Sequence, residues 1–215
     1  MQPSEFNQLL GNIDLYLLDQ ILKNRFTTDM KILDAGCGEG RNAIYFLNSG
    51  YQIFGIDQEE LAIQYLRFVA KSLNPNYDSH RFQVGQLEEI PFHAGAFDAV
   101  ICSAVLHFAK SESSFWEMIH EMDRVLKPGG ILWFRMTTGF GGILEQSEDL
   151  GAGRFLLPDE SERFVLQQKH LDRLLDMGYD YLEAPKTVLV IGQREMGVFV
   201  LEKSIRPILE ERNNF

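Results

Sequence analysis

Between residues 31 and 137, short apolar runs alternate with longer stretches whose apolar positions recur every three or four residues. Runs 31–35, 52–56, 81–84, 97–102 and 130–136 have strand length, and stretches 41–47, 59–73 and 112–126 have helical spacing. In the last of these, Phe115, Met118, Ile119, Met122, Val125 and Leu126 make one stripe. The serines of residues 111–114 offer N-caps there, and Pro128-Gly129-Gly130 predicts the stop. Such alternation predicts a parallel sheet with right-handed crossovers. Ahead of it, Phe6, Leu9, Leu10, Ile13, Leu17 and Ile21 predict a single cap helix over about 5–23. After it, residues 139–163 break the pattern with clustered glycines, aromatics and arginines, and read as a lid over the site rather than an irregular insertion. Phe140, Phe155 and Phe164 either wall a pocket there or only anchor the segment. Helical spacing returns over 166–177, with Leu171, Leu174 and Leu175 on its apolar face. Strands at 186–191 and 197–202 follow, and Gly192-Gln193-Arg194-Glu195 is so short a link that they must run antiparallel.

The first strand ends at Asp34 and runs into Gly36, Gly38 and Gly40 before a helix begins near Asn42. Glycines there let a ligand lie against bare peptide groups, and the unpaired N–H groups of the helix start point back at the loop. G-x-G-x-G is neither the G-x-G-x-x-G of dinucleotide enzymes nor a phosphate loop. The second strand ends in Asp57, about 20 residues on, placed to accept hydrogen bonds from both hydroxyls of a ribose. Nicotinamide enzymes share that acid. Further along come Gly85-Gln86-Leu87 and the run from Phe97 through Ser103 to His107, then Val125-Leu126-Lys127-Pro128-Gly129-Gly130.

These four elements, in this order over residues 31–137, resemble the motifs of the class I S-adenosylmethionine-dependent methyltransferases. The resemblance implies an α/β, Rossmann-like fold with a mainly parallel seven-stranded sheet and a C-terminal antiparallel hairpin. It also implies S-adenosylmethionine as cofactor, S-adenosylhomocysteine as product, and in-line methyl transfer to a small-molecule acceptor. Carried over by position, Gly36 and Gly38 face the methionine portion with Cys37 between them in the loop, and Asp34 holds the loop or the amino group. Asp57 takes the ribose hydroxyls and Gln58 lies beside the adenine. Gln86, where the family often has an aspartate, accepts from the adenine amino group, helped by the N–H of Leu87. The backbone of Ser103 meets the methionine ammonium, and Arg41 either reaches the carboxylate or points to water. His107 stands where the acceptor approaches and is the candidate general base, or else a satisfied turn histidine. A family N-terminal helix lies over the cleft, so Tyr16 or Asp19 reaches it, unless Tyr16 simply packs. Arg135 either meets an internal carboxylate or waits for an anionic acceptor. The run Gly38-Glu39-Gly40-Arg41-Asn42 is similar to that of tellurite-resistance-type methyltransferases.

Length and composition fit one domain: 215 residues, 45% of them apolar. It divides into a cap (1–28), a cofactor-binding core (29–137), a lid or acceptor insertion (138–165) and a C-terminal helix and hairpin (166–215). No apolar run approaches the roughly 18 residues of a membrane span, and Met1-Gln2-Pro3-Ser4-Glu5 lacks a basic leader, so a cytoplasmic protein without a membrane partner is expected. A formal charge of −11 with scattered lysines and arginines disfavours a nucleic-acid acceptor. Cys37 and Cys102 have no metal or disulfide spacing, and Glu117 and His120, half of a di-iron motif without its second copy, read as a solvated face. Ser103 and His107 lack the G-x-S-x-G of a hydrolase. A monomer or homodimer is expected. The rival readings are a regulator that binds the cofactor without turnover, and a nicotinamide oxidoreductase, which the glycine spacing and the terminal hairpin disfavour.

Overall fold

A computed structural model describes residues 2–205 of the chain. Its frame is a sheet with strand order β10-β11-β5-β4-β1-β2-β3 and a short β9 paired to β11. The parallel part comprises β1 (Lys31–Ala35), β2 (Gln52–Asp57), β3 (Phe82–Val84), β4 (Phe97–Ser103) and β5 (Leu126–Thr137). The antiparallel part comprises β9 (Tyr179–Tyr181), β10 (Lys186–Val190) and β11 (Arg194–Lys203), with β11 between β5 and β10. The direction of strand succession reverses between β1 and β4, which opens a crevice at their carboxyl ends.

Strand alternation divides the core in two. Leu33, Ala35, Val100, Cys102, Leu132, Phe134 and Phe199 face one way. They pack on the stripe of α5 (Glu112–Val125) and on Leu171 and Leu174 of α6 (Gln168–Asp176). Ile32, Ile53, Ala99, Ile101, Trp133 and Val200 face the other way. They pack on α2 (Leu15–Leu22), α3 (Ala43–Asn48) and α4 (Glu60–Leu73). A sheet covered on both faces needs strands that are apolar throughout, and the 97–102 run is that kind.

Several expectations change. The single N-terminal helix is two, α1 (Pro3–Leu10) and α2, broken where Gly11 takes φ +60° and Asp14 starts again as a cap, its carboxylate accepting the N–H of Tyr16 at 2.9 Å. Helix α1 buries none of its residues, so the apolar spacing of Phe6 and Leu9 marked a face that the fold leaves exposed. Helix α5 ends at Val125, ahead of the glycines; Leu126 already pairs with Phe97, and residues 127–130 form a bulge before Ile131 pairs with Ala99. Strand β9 was not expected. Segment 139–163 is neither structureless nor irregular: β6 (Glu148–Gly151), β7 (Arg154–Leu156) and β8 (Glu162–Phe164) form a separate antiparallel sheet. The last ten residues of the expected C-terminal section, 206–215, and Met1 lie outside the described residues. Among the described residues no helix is long and apolar enough to cross a membrane.

Candidate active site

At the end of β1 the chain turns so tightly that the N–H groups of Gly36 and Cys37 both donate to the carbonyl of Ile56, at 2.8 and 3.0 Å. Gly36, at φ +80°, is doubly required, since a Cβ there would stand 2.4 Å from a methyl of Val105. Gly38, at φ +50°, has no atom within 4 Å of where a Cβ would be, so its face is open. The N–H of Gly38 donates to one oxygen of Asp57 at 2.8 Å, and the N–H of Glu59 donates to the other at 3.0 Å. Asp57 therefore clamps the glycine loop while keeping lone pairs for a ligand.

A cavity of about 310 Å³ lies beside this loop, and of the residues named from the sequence Gly36, Asp57, Gln58, Gln86 and Leu87 line it. Glu88, Val105, Phe108, Lys110 and Met118 line it too and were not foreseen. Asp34 is buried under the loop at 1% exposure, and neither of its oxygens has a hydrogen-bond partner. Burial pushes its pKa up to about 7; Arg41 pulls it down and Asp57 adds to the rise. Cys37 belongs to the loop, as expected, through its main chain. Its thiol packs inward against Gly55 and Phe82 in the core, and burial holds it protonated, so only its backbone belongs to the loop.

A polar cluster joins the strand ends to the N-terminal segment. One oxygen of the buried Asp14 accepts from Arg135 at 2.8 Å and from the hydroxyl of Ser103 at 3.3 Å, and stands 3.8 Å from Arg41. Arg41 itself donates to Ser103 at 2.8 Å. The N–H of Asp14 donates to Asn42, at the start of α3, at 3.0 Å. Asp14, which lines neither cavity itself, is thus the N-terminal residue that reaches the strand ends through Arg135 and Ser103, and the sequence reading missed it; its signal was the cap position ahead of Leu15. Neither residue proposed instead lines either cavity. Tyr16 packs on the Arg135 guanidinium, 5.6 Å away, and Asp19 pairs with Lys23 and Lys186 at the surface. Of the two expectations for Arg135, the internal carboxylate is the one the fold realises, although its buried Nε has no partner.

A second cavity, of about 330 Å³, lies on the other side of Phe108, which borders both. Its floor is His107, 7% exposed, with Nδ1 3.3 Å from the hydroxyl of Thr137. That hydroxyl faces the sulfur of Met196 at 3.6 Å, so it can donate there and accept from Nδ1–H, which leaves the lone pair on Nε2. Burial and the positive fields of Arg163, Arg135 and Arg194 lower the pKa of His107 to about 4. The insertion contributes Leu157, Asp159, Ser161 and Arg163 to this cavity, and the terminal hairpin contributes Val188, Val190, Arg194 and Met196. The root of the insertion is pinned by Glu195, fully buried, which accepts from the hydroxyl of Thr138 at 2.6 Å and from the N–H groups of Phe140 and Gly141. Phe164 stacks on Phe115 with centroids 4.7 Å apart, Phe155 packs with Leu157 and Val165, and Phe140 leans on Phe199. None of the three lines a cavity; they anchor the segment. Glu117 and His120 are exposed on α5.

Residues 33–134 match a protein-family model described as a methyltransferase domain. The uncharacterised methyltransferase YodH of Bacillus subtilis is 35% identical over 107 residues, which are 48% of this chain and 42% of that protein. Thiol S-methyltransferase TMT1B of Rattus norvegicus is 31% identical over 50% of this chain and 43% of its own. The chain therefore spans less than half the length of these relatives. Among solved structures, a SAM-dependent methyltransferase of Methanosarcina mazei superposes with a TM-score of 0.69 at 24% identity, covering 86% of this chain and 98% of that one.

Proposed function

We propose that the chain is a class I S-adenosylmethionine-dependent methyltransferase, which transfers a methyl group from S-adenosylmethionine to a small-molecule acceptor; the match of residues 33–134 to a methyltransferase domain and the methyltransferase relatives support this reading. The observation that carries the reading is Asp34. A carboxylate buried with both oxygens unpartnered is costly unless a ligand completes it, and a cationic ammonium beside an open glycine backbone is the group that fits. The first cavity, beside the loop that covers Asp34, suits the same ligand. Asp57 retains acceptor capacity for a pair of hydroxyls, Gln58 lies next to it, and Gln86 with the N–H of Leu87 offers an acceptor and a donor to a heterocycle edge. Arg41 and the backbone at Ser103 close the amino-acid end.

Bound S-adenosylmethionine supplies an electrophilic methyl group on a sulfonium. The protein's part is then to align an acceptor and exclude water, in the manner of any in-line displacement. The second cavity is the place for the acceptor, because Phe108 joins it to the first. His107, neutral at physiological pH and held through Nδ1 by Thr137, presents Nε2 to take the acceptor proton. The insertion supplies one wall of that cavity through Leu157, Asp159, Ser161 and Arg163.

Calorimetric titration with S-adenosylmethionine, S-adenosylhomocysteine and NAD tests the reading. Micromolar binding of the first two and none of NAD is expected, followed by methyl transfer to an acceptor; the name of the rat relative makes thiols the first compounds to try. Absence of binding by both sulfur compounds would sink the proposal. Binding without transfer to any thiol or hydroxyl compound would favour a regulator that uses the cofactor as a ligand.

A further inference from the structure

The protein carries a formal charge of −11, yet its second cavity gathers three arginines from three separate elements: Arg135 on β5, Arg163 on β8 and Arg194 at the start of β11. Of the three, among the described residues, only Arg135 has a counter-ion, Asp14 at 2.8 Å. Among the described residues, Arg163 and Arg194 have no carboxylate within 4.0 Å. Asp159 is the one acid lining the cavity, and Ser161 holds one of its oxygens through both N–H and hydroxyl. It offsets one of the two unpaired charges. Arg163 does not simply extend into water. Its guanidinium lies 4.8 Å from the Phe108 ring and donates to the carbonyl of Glu162 at 2.8 Å, so its orientation is set before any ligand arrives.

We propose that the acceptor in this cavity is a small anion, a molecule whose carboxylate or phosphate group is held by Arg163 and Arg194 while its nucleophilic end lies between His107 and Phe108. The proposal rests on the methyltransferase reading for the word acceptor, but the anion preference stands on the cavity alone. Planar guanidinium groups pair with such oxyanions in a two-point contact, and an uncharged ligand would leave the charge that Asp159 does not offset without a partner in the cavity. Volume agrees, since about 330 Å³ suits a compact molecule rather than a polymer end. The geometry also orders the ligand: the arginines come from the insertion and the hairpin, whereas the imidazole lies on the floor, next to the residue shared with the cofactor cavity.

The test follows the ring signals of His107 by NMR while the protein is titrated with benzoate, phenyl phosphate and the neutral benzamide, with and without saturating S-adenosylhomocysteine. At least one of the two anions should bind ten times more tightly than benzamide and move the His107 signals; which one does so distinguishes a carboxylate from a phosphate acceptor. The preference should shrink in Arg194→Gln, whose side chain is at the surface, and vanish in Arg163→Met/Arg194→Met, with the affinity for S-adenosylhomocysteine unchanged. Benzamide binding as well as both anions, or a preference that survives the double substitution, would overturn the proposal. Failure of S-adenosylhomocysteine to bind while the anion preference persists would instead remove the methyltransferase reading and leave an anion site.

Discussion

The two cavities that meet at Phe108 are built by different means. The first takes much of its wall from main-chain turns, at Gly36 over the buried Asp34, at Asp57 and at Gln86, with Val105, Phe108, Lys110 and Met118 completing it. The second is made by side chains from the end of β4, from β5, from the insertion and from the terminal hairpin, none close to the others in sequence. A site made of backbone tolerates change around it as long as its few anchoring carboxylates remain. A site made of distant side chains depends on the whole fold being in register.

The largest effect should come from Asp14, because it serves both sides. Removing it in Asp14→Ala leaves the half-buried Arg135 without its carboxylate and Ser103 and Arg41 without their shared neighbour. Breaking one partner of a buried pair costs about 3–5 kcal/mol, and chemical denaturation should show a loss of that size. Asp14→Ala/Arg135→Met should recover much of it, since no uncompensated charge then remains. A loss under about 1 kcal/mol in the single variant would mean that the cluster is solvated and that the two cavities are built more alike than they look.

Asp57→Ala comes next and separates the cavities. It should lower affinity for S-adenosylhomocysteine about 100-fold, some 2.7 kcal/mol, by calorimetry. The anion preference of the second cavity should be untouched. Stability should fall by no more than about 1–2 kcal/mol, for the two backbone N–H groups that Asp57 now accepts can turn to water. Equal loss at both sites would show that the loop and the acceptor cavity form one cooperative unit.

What was legible in the sequence follows the same division. The strands from β1 to β5, the helices between them and the terminal hairpin announce themselves through periodicity and glycine placement, and so do Gly36, Asp57, Gln58, Gln86 and Leu87 of the first cavity, where motif and lining coincide in the chain. Asp14 was missed because the helical stripe continues through Gly11 and Ile13, hiding a break that only tertiary contacts with Asn42 and Arg135 make worthwhile. The insertion gave composition without pattern, since three-residue strands such as β7 and β8 are too short to display a period. Arg163 and Arg194 carry no local signal whatever. Their meeting place depends on where the small sheet docks, which Phe164 against Phe115 and the Glu195 clamp decide.

A smaller, graded effect belongs to pH. Asp34 is protonated in the free protein below about 7, whereas a bound ammonium requires it ionised. Affinity for S-adenosylhomocysteine should therefore weaken by up to tenfold, about 1.4 kcal/mol, for each pH unit below 7, with a proton released on binding. Asp34→Asn should bind more weakly at pH 8 and show a flat profile. Stability of the free protein runs the other way. The native Asp34 pKa is raised from 3.8, so the folded state binds the extra proton and gains stability as pH falls from 7 towards 4. His107, lowered from 6.5 to about 4, refuses a proton that the unfolded chain accepts, and costs stability as pH falls from 6.5 towards 4. The two slopes oppose each other, so Asp34→Asn should expose the His107 decline in denaturation midpoints measured across that range. A decline no steeper than in the unsubstituted protein would mean that Asp34 titrates normally.

The smallest effect concerns Cys37, the one loop residue whose side chain turns away from the cleft. Its sulfur sits where a Cβ on Gly55 would be only 2.8 Å away, beside Phe82, and it fills that gap between β2 and the loop. Cys37→Ala removes one heavy atom from a packed position and should cost about 1 kcal/mol of stability. Gly36 and Gly38 would keep their backbone geometry, because the N–H of residue 37 still donates to the carbonyl of Ile56. Affinity for S-adenosylhomocysteine should stay within twofold of the unsubstituted protein. A tenfold loss of affinity with stability unchanged would place the thiol at the ligand, and the view of the first cavity as a site walled in large part by main-chain turns would have to give way.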